Sequence, residues 1–573
     1  MNRFRPFILI VTVVLSAFVA YGLWTIPKPQ PADSEGFSSA RVAADIEVIS
    51  KEHHSVAQPQ ERARVRDYLI GRLKEIGADT VKVFRHDSLT GPQNKHVVYT
   101  FDAYNVIAEF SPLKESSDTT YLMLVAHYDS RYSQPVLKDT VWSYGAADNG
   151  YGVGVALETV SQLMKKRAEW TQGVKVLFTD AEEVGMMGMK ALWEEQRDEF
   201  DDVGLLVNIE ARGPWGPALL FEACPGNIKV MDLYRQTAEY PYTYSLTTVV
   251  YGFMPNFTDF TIVKDHIPGL NFSTVADINH YHTDLDNFSN ISERSIQHYG
   301  EQILPLTQKY VTSDEYSDRN ALYAESDAVN FTVPLLGMFN FSKTVYIIFN
   351  VVVFILFLLL FGLEGVRGRI KARDVFKKSC TILLAAFGML ALGELVAFVS
   401  AWSVGAKFNP FGIVMGVSFD NIVMVAATAV FLLIVIIVYA VMRARNVRQV
   451  SGAMRASAAA HAASRFAYGN LYGAMALMFI LSVALLLAID ENFMFLIPLM
   501  CATVAMILYH LTSMRFWLIV SMVPVLLHAF SFLYALAMAL TIGAYGAIMM
   551  FAFLDVMILL PLADLYLMPD KRR

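Results

Sequence analysis

Residues 121–129 have the sequence YLMLVAHYD, an apolar run that ends on a histidine and an aspartate. Three more short apolar runs follow it: VKVLFTD at 174–180, LLVNIE at 205–210 and PGLNFSTV at 268–275. Each run is consistent with a buried strand, whereas Glu61–Ile76 and Gly152–Lys166 have the periodicity of helices. Buried strands that alternate with helices predict an α/β fold with a mostly parallel sheet flanked by helices.

The chain changes character near residue 340. Hydrophobic residues make up 55% of its 573 residues. Beyond this point there are successive apolar runs of about 20 residues, long enough to cross a hydrocarbon core of ~30 Å. We predict an all-α transmembrane bundle at 341–573, with about seven spans near 344–363, 379–400, 417–441, 467–488, 493–510, 516–535 and 538–562. The stretch 516–562 could instead hold three short crossings, which would place the basic tail outside.

An apolar run from Phe7 to Trp24 follows the short basic start of the chain. We interpret residues 1–26 as an uncleaved transmembrane anchor rather than a cleaved signal peptide, because no clean cleavage site closes the run. Residues 27–340 are then an exported globular domain. It is periplasmic if the host is a bacterium and lumenal if the host is a eukaryote.

The loops between the predicted spans carry an uneven distribution of basic residues. The basic residues lie in alternate loops and in the tail: Arg367, Arg369, Lys371, Arg373, Lys377, Lys378, Arg443, Arg445, Arg448, Arg455, Arg465, Arg515, Lys571, Arg572 and Arg573. The positive-inside rule places these loops in the cytoplasm. Eight crossings, counting the anchor, then put both termini inside and the globular domain outside.

Composition excludes some classes of function. The formal net charge is −7 and no basic stripe is present, which argues against nucleic-acid binding. The three cysteines are Cys224, Cys380 and Cys501. The last two lie in apolar segments, so no disulfide framework is expected. The apolar runs make the lipid bilayer an expected partner, and the oligomeric state stays open.

Five motifs carry acidic or histidine side chains, four of them near the ends of predicted strands. They are His127-Tyr128-Asp129, Asp148 within GAADNGYG, Asp180-Ala181-Glu182-Glu183, Asn208-Ile209-Glu210, and His280 to Asp286 with the sequence HYHTDLD. Each alone has an ordinary explanation, such as a Gly-Asn-rich turn, the acidic first turn of a helix or a surface histidine cluster. Together they suit two zinc ions with a shared carboxylate, because ligands in α/β sheets gather at the carboxyl ends of strands.

The order of these motifs, HxD, D-N-G, D-x-E-E-x-G, N-x-E and Y-H-T-x-x-D, resembles the di-zinc aminopeptidases of peptidase family M28. The resemblance covers roughly Ala40 to Thr307. It implies a zinc exopeptidase fold and hydrolysis of a peptide bond near a free amino terminus. Many relatives have Asp where this chain has Glu210. The Glu form, the stretch IPGLNFS and the C-terminal helices are similar to the multi-pass membrane branch, which includes endoplasmic reticulum metallopeptidase and vacuolar membrane protease.

The resemblance also implies which residues bind the two zinc ions. One ion would be held by His127 and Glu210, the other by Glu183 and His282, and Asp148 would bridge them. The segment from Arg131 to Gly145 lengthens the gap between the first two ligands and leaves the rim of the site undefined.

Two further residues receive catalytic roles from the resemblance. Asp129 would orient His127, and Glu182 would be the general base. His280 is a second candidate ligand near His282, and the Tyr-His-Thr context favours His282. The residue that recognises the free amine is not assigned.

Two rival functions stay open at this point. The chain could be a catalytically silent peptidase fold kept for binding or scaffolding, although the full set of ligands argues against this. It could also be a glutaminyl cyclase or a carboxypeptidase on the same fold.

Three ionisable residues, Glu394, His528 and Asp555, lie inside predicted membrane spans. Such residues are costly in a membrane and often functional. Hydrogen bonding between helices, or a position nearer the membrane interface than these spans imply, is the simpler explanation.

Overall fold

A computed structural model describes residues 4–20, 26–91, 99–113, 119–132, 134–136, 139–252, 256–410, 412, 414, 416, 417, 422–451 and 456–568. The predicted end of the first apolar run at Trp24 and the basic tail lie outside these residues. The chain divides into two compact units. A globular unit comprises Trp24–Thr332 and Gly337–Ser342, and a helical unit comprises Met1–Leu23, Val333–Leu336 and Lys343–Arg573.

The globular unit is built on a seven-stranded sheet. The described strands are β1 (Thr80–Gly91), β2 (Tyr99–Phe110), β3 (Tyr121–His127), β4 (Gln134–Val136), β5 (Asp139–Val141), β6 (Gly173–Thr179), β7 (Val203–Ala211), β8 (Trp215–Ala223), β9 (Gly269–Ala276), β10 (Ala328–Val333) and β11 (Gly337–Ser342). The sheet order is β1-β2-β6-β3-β7-β9-β8.

The centre of the sheet is parallel, as the sequence predicts. Strands β6, β3, β7 and β9 pair in parallel and are the four apolar runs of the sequence. The edges differ, because β1, β2 and β8 pair antiparallel and make the sheet mixed. Every residue of the four central strands is buried, which is why they read as continuous apolar runs.

Helices flank this sheet and form the second unit. In chain order they are α1 (Arg5–Ala20), α2 (Ser39–Ile49), α3 (Pro59–Ile76), α4 (Gly150–Met164), α5 (Met187–Glu195), α6 (Ile228–Thr237), α7 (Ser245–Gly252), α8 (Phe260–Val263), α9 (Glu293–Thr312), α10 (Lys343–Val366), α11 (Ala372–Ser403), α12 (Ile422–Ser451), α13 (Ala456–Ile489), α14 (Phe493–Thr512), α15 (Phe516–Val520), α16 (Met522–Leu540) and α17 (Tyr545–Leu567). Helices α3 and α4 match the two helices predicted from periodicity.

Helix α4 packs unusually close to the sheet. Asn149 caps it by accepting a hydrogen bond from the Gly152 N–H at 3.0 Å. A Cβ on Gly152 would lie 2.3 Å from the carbonyl oxygen of Ile209 on β7. The D-N-G-x-G pattern therefore lets the start of α4 approach β7, next to Glu210.

The helical unit contains six described stretches long and apolar enough to cross a membrane. They are Lys343–Val366, Ala372–Ser403, Ala426–Arg448, Ala458–Ile489, Phe493–Thr512 and Phe516–Leu567. The last of these contains α16 and α17, with a 3-10 turn at Thr541–Ala544 between them. Helix α15 in the same stretch has only five residues, too few to cross a membrane.

Candidate metal centre

The five predicted metal ligands come from four strand ends and one helix start. His127 is the last residue of β3, and Glu210 is the penultimate residue of β7. Glu183 lies four residues after the end of β6, and His282 follows β9. Asp148 comes two residues before α4. Because β6, β3, β7 and β9 are parallel neighbours, these segments meet at one edge of the sheet.

The first group of potential ligands consists of His127, Asp148 and Glu210. The Nε2 atom of His127 lies 3.1 Å from Oδ1 of Asp148 and 3.4 Å from Oε2 of Glu210. All three residues are buried, and their ligand atoms lie within 4.8 Å of one another. An imidazole nitrogen and two carboxylate oxygens are donors that zinc accepts.

The second group consists of Asp148, Glu183 and His282. The Nε2 atom of His282 lies 3.2 Å from Oδ2 of Asp148 and 3.2 Å from Oε2 of Glu183. Asp148 therefore belongs to both groups and offers one carboxylate oxygen to each. His280 belongs to neither group, because its Nδ1 pairs with Asp277 at 3.0 Å.

The donor atoms fit a pair of bound cations. Oε1 of Glu183 is buried and accepts no hydrogen bond from any residue that the structure describes. A buried carboxylate oxygen without a donor is costly unless a cation binds it.

The tautomer of His127 supports the same conclusion. Its Nδ1 lies 3.0 Å from the carbonyl oxygen of Asp129, which can only accept, so Nδ1–H donates there and Nε2 is the nitrogen that faces the two carboxylates. A lone pair beside two carboxylates is repulsive unless a cation or a proton lies between them. This arrangement fits a metal ligand whose second ring nitrogen is fixed by a hydrogen bond.

The protonation of the cluster reflects its crowded negative charge. Burial raises the pKa of the Glu182 carboxyl well above its usual range, and the charges of Glu210 and Glu183 add to this. Burial also raises the pKa of Glu183. Burial would lower the pKa of His127, but its contacts with Asp129, Asp148 and Glu210 raise it well above the usual value. Without cations, these groups must hold protons to limit repulsion, and bound cations would replace those protons.

Asp129 holds the backbone of the two adjacent glutamates. Its Oδ1 accepts the Glu182 N–H at 3.0 Å, and its Oδ2 accepts the Glu183 N–H at 3.3 Å. Its carboxylate is also 3.6 Å from Nδ1 of His127. The sequence predicts only an effect on His127, so the link to the glutamates is an addition from the structure.

Two positions near the site have left-handed backbone conformations. Ala181, just before Glu182, has φ 59°, and His282 also has φ 59°. Such values are uncommon for residues with a Cβ and cost of order 1–3 kcal/mol. At these positions the chain turns sharply, which brings Glu182, Glu183 and His282 over the ends of the strands.

Glu182 belongs to neither ligand group. It is partly buried, and its pKa responds to His127 and Glu210 as well as to Glu183. Its carboxyl group therefore lies within electrostatic range of both groups without belonging to either.

A buried acid, Asp286, holds the loop that carries Asp148. The sequence motifs include Asp286 but give it no role. Asp286 accepts hydrogen bonds from the Ala147 N–H at 2.6 Å, the Asp148 N–H at 3.3 Å and the Ser143 hydroxyl at 2.9 Å. Asp286 is the last residue of the Y-H-T-x-x-D motif. Only its position in that motif could have indicated from the sequence that it holds the Asp148 loop.

Glu210 and Glu183 have different neighbours. Side-chain amides of Asn208 and Asn149 donate to Glu210 at 3.0 and 3.3 Å. Arg131 instead pairs with Oε2 of Glu183 at 3.1 Å. Arg131 lies in the segment whose role the sequence leaves undefined, and no motif marks it.

Residues 105–307 match the model for peptidase family M28. The vacuolar membrane protease of Eremothecium gossypii is 26% identical over 341 residues, which are 56% of this chain and 32% of that protein. Endoplasmic reticulum metallopeptidase 1 of Mus musculus is 26% identical over 267 residues, 46% of this chain and 28% of that protein. The chain thus spans about a third or less of the length of these relatives.

The crystal structure of Porphyromonas gingivalis glutaminyl cyclase superposes on 48% of this chain and 100% of its own, with a TM-score of 0.39 and 19% sequence identity.

Proposed function

Because residues 105–307 form a peptidase family M28 domain, we propose that this chain is a membrane-bound aminopeptidase with two zinc ions. It would remove residues from the free amino end of peptides. The membrane placement rests on the six long apolar stretches and on the membrane proteins among its relatives. The globular unit would lie outside the cytoplasm, as the basic loops predict.

One observation carries the proposal. Five side chains form two groups of potential ligands, and the two groups share Asp148. A shared carboxylate is what two neighbouring cations require. In this proposal His127 and Glu210 bind one zinc ion, Glu183 and His282 bind the other, and Asp148 bridges them.

In this proposal the zinc ions, Glu182 and Asp129 have different roles in peptide hydrolysis. When bound, the zinc pair would polarise the scissile carbonyl and make water more acidic. Glu182 would take the proton of the attacking water and deliver it to the leaving amine. Asp129 would keep the backbone of Glu182 and Glu183 in place and hold His127 in the tautomer that leaves Nε2 free to bind.

The test compares substrates and variants of the full-length protein. We expect zinc-dependent release of the first residue from a free-amine peptide and little from its N-acetylated form. Asp148→Ala should lose both zinc ions and activity. Asp284→Ala, an exposed aspartate of the same histidine-rich segment that belongs to neither group, is the matched control and should keep both.

Three outcomes would contradict this proposal. Equal cleavage of the acetylated peptide would indicate that the free amine is not recognised. Ammonia release from a peptide with N-terminal glutamine, without hydrolysis of the free-amine peptide, would indicate a cyclase. Full retention of zinc in Asp148→Ala would indicate that Asp148 does not bridge the two zinc ions.

A further inference from the structure

Two ionisable side chains lie deep within the apolar helices of the helical unit. Asp555 on α17 follows Tyr545 by ten residues and precedes Leu567 by twelve. At 1.5 Å per residue, it lies ~15 Å from one helix end and ~18 Å from the other. His528 on α16 is only 2% exposed. An ionised group at this depth is costly, so its presence calls for a function or a partner.

Glu394 on α11 accepts the Gly546 N–H at 3.2 Å, and two other acidic groups of the helical unit have charged partners near the helix ends. Glu364, two residues before the end of α10, pairs with Arg369 at 3.1 Å. Asp564, three residues before the end of α17, pairs with Arg443 at 2.8 Å. Asp555 differs from all three, because no residue among those that the structure describes makes a hydrogen bond or ion pair with its side chain.

Asp555 and His528 line the same cavity, which lies between α14, α16 and α17. Its volume is about 10 Å³, which is close to the space that one water molecule needs. The wall is otherwise apolar, with three phenylalanine rings from Phe495, Phe532 and Phe551. Of the described residues that line it, only Asp555 and His528 titrate.

The chemistry of this wall selects the ligand. Ca²⁺ takes six to eight oxygen ligands and Zn²⁺ takes at least three protein ligands, whereas the wall offers only one carboxylate and one imidazole. A proton requires only one acceptor, and one water suffices to connect two acceptors. The cavity therefore fits a proton better than a metal cation.

We propose that Asp555 and His528 form an intramembrane proton-binding site. In one state the Asp555 carboxyl holds the proton and His528 is neutral. The O–H bond of that carboxyl breaks, its proton goes to the water in the cavity, and a proton of the water goes to a ring nitrogen of His528. The products are a carboxylate, a water and an imidazolium, so the step needs no oxidant or reductant. This site is separate from the metal centre and does not depend on the proposed peptidase activity.

The first test uses the full-length protein in detergent micelles and dicyclohexylcarbodiimide, an apolar reagent that converts protonated carboxyls to N-acylureas. Labelling of the α17 peptide is measured by mass spectrometry between about pH 5 and about pH 9, a range that brackets histidine titration. We expect Asp555 to be labelled at the acid end and at least tenfold less at the alkaline end. Asp555→Asn should not be labelled at this position.

A second arm tests the histidine. His528→Gln should move the midpoint of labelling by at least about one pH unit, which corresponds to a tenfold change in proton affinity. The matched control is His510→Gln, because His510 pairs with Glu364 and does not line the cavity. If His528→Gln does not elute as a single species, His528→Asn replaces it.

Two results would overturn the proposal. Absence of labelling at every pH, or labelling independent of pH, would mean that Asp555 does not exchange a proton. If the folded His528 variant labels Asp555 with an unchanged pH midpoint, His528 is not part of the proton-binding site. The pH titration of labelling in the wild-type protein needs no variant, so it tests the role of Asp555 even if the His528 variants do not fold.

Discussion

Replacement of Glu182 by glutamine is expected to slow peptide hydrolysis by ~10²–10⁴-fold, the usual contribution of a general base. At 1.36 kcal/mol per tenfold, this is about 3–5 kcal/mol of activation free energy. Zinc content should stay nearly unchanged, because Glu182 belongs to neither ligand group. The backbone should also keep its position, since Asp129 holds the N–H groups of Glu182 and Glu183 rather than their side chains.

The adjacent variant Glu183→Gln has a different expected result. Oε2 of Glu183 is 3.2 Å from Nε2 of His282, and its Oε1 is buried without a hydrogen bond from any described residue. A neutral amide at this position removes an anionic donor and buries an N–H₂ group beside the second group. Zinc should therefore fall from about two ions per chain toward one, together with activity.

The assay measures initial rates on a free-amine peptide and zinc content by mass spectrometry, on both variants and on wild type. Glu194→Gln is the matched control, because Glu194 is exposed on α5 and belongs to neither group. If Glu182→Gln lost zinc while Glu183→Gln kept it, the two roles would be exchanged. If neither variant slowed hydrolysis, the reasoning about the mechanism would be refuted.

Three further predictions address the surroundings of the site and the topology. Asp286→Asn should weaken zinc binding ~10–100-fold, because an amide cannot accept from both backbone N–H groups and the Ser143 hydroxyl, and zinc titration against Asp284→Asn measures this. His298 is buried, accepts the Ala218 N–H through Nδ1 and donates from Nε2 to the Tyr240 carbonyl, and burial lowers its pKa to about 4. Because the unfolded chain then binds more protons than the folded chain, the thermal midpoint of unfolding should fall as pH drops from about 6.5 to about 4. A midpoint that does not change with pH over this range would contradict this prediction. A reporter fused after Arg573 should read cytoplasmic and one inserted near Lys138 should read exported, and the reverse pattern would contradict the orientation drawn from the basic loops.

The central strands could be predicted from sequence because they are buried on both faces. Strands β3, β6, β7 and β9 have no exposed residue, so apolar residues dominate their sequences and polar ones such as Lys175, Asn208 and Asn271 are few. The edge strand β1 is mostly exposed or half-buried and reads as an ordinary polar segment. It pairs with the next strand along the chain, β2, but its exposed side chains leave no apolar pattern that marks this pairing in the sequence.

The candidate site also has one part that the sequence predicts and one part that it does not. The motifs mark side chains whose chemistry is visible in the sequence, such as His127 and Glu183. The residues that position them act through contacts that only the fold creates. Asp286 reaches Ala147 across 139 residues, and Arg131 reaches Glu183 across 52. No spacing rule in the sequence relates these pairs.

These positioning contacts explain how a cluster of carboxylates can exist at the edge of the sheet. Four acids converge there, and their repulsion must be balanced before any cation binds. Two other acids, Asp129 and Asp286, hold the main chain in place against this repulsion, because each accepts backbone N–H groups from a segment that carries a proposed metal ligand. The main chain is then fixed by hydrogen bonds that need no metal. The donor atoms are consequently held close together by the fold itself, and binding of cations has only to relieve the repulsion rather than to assemble the site.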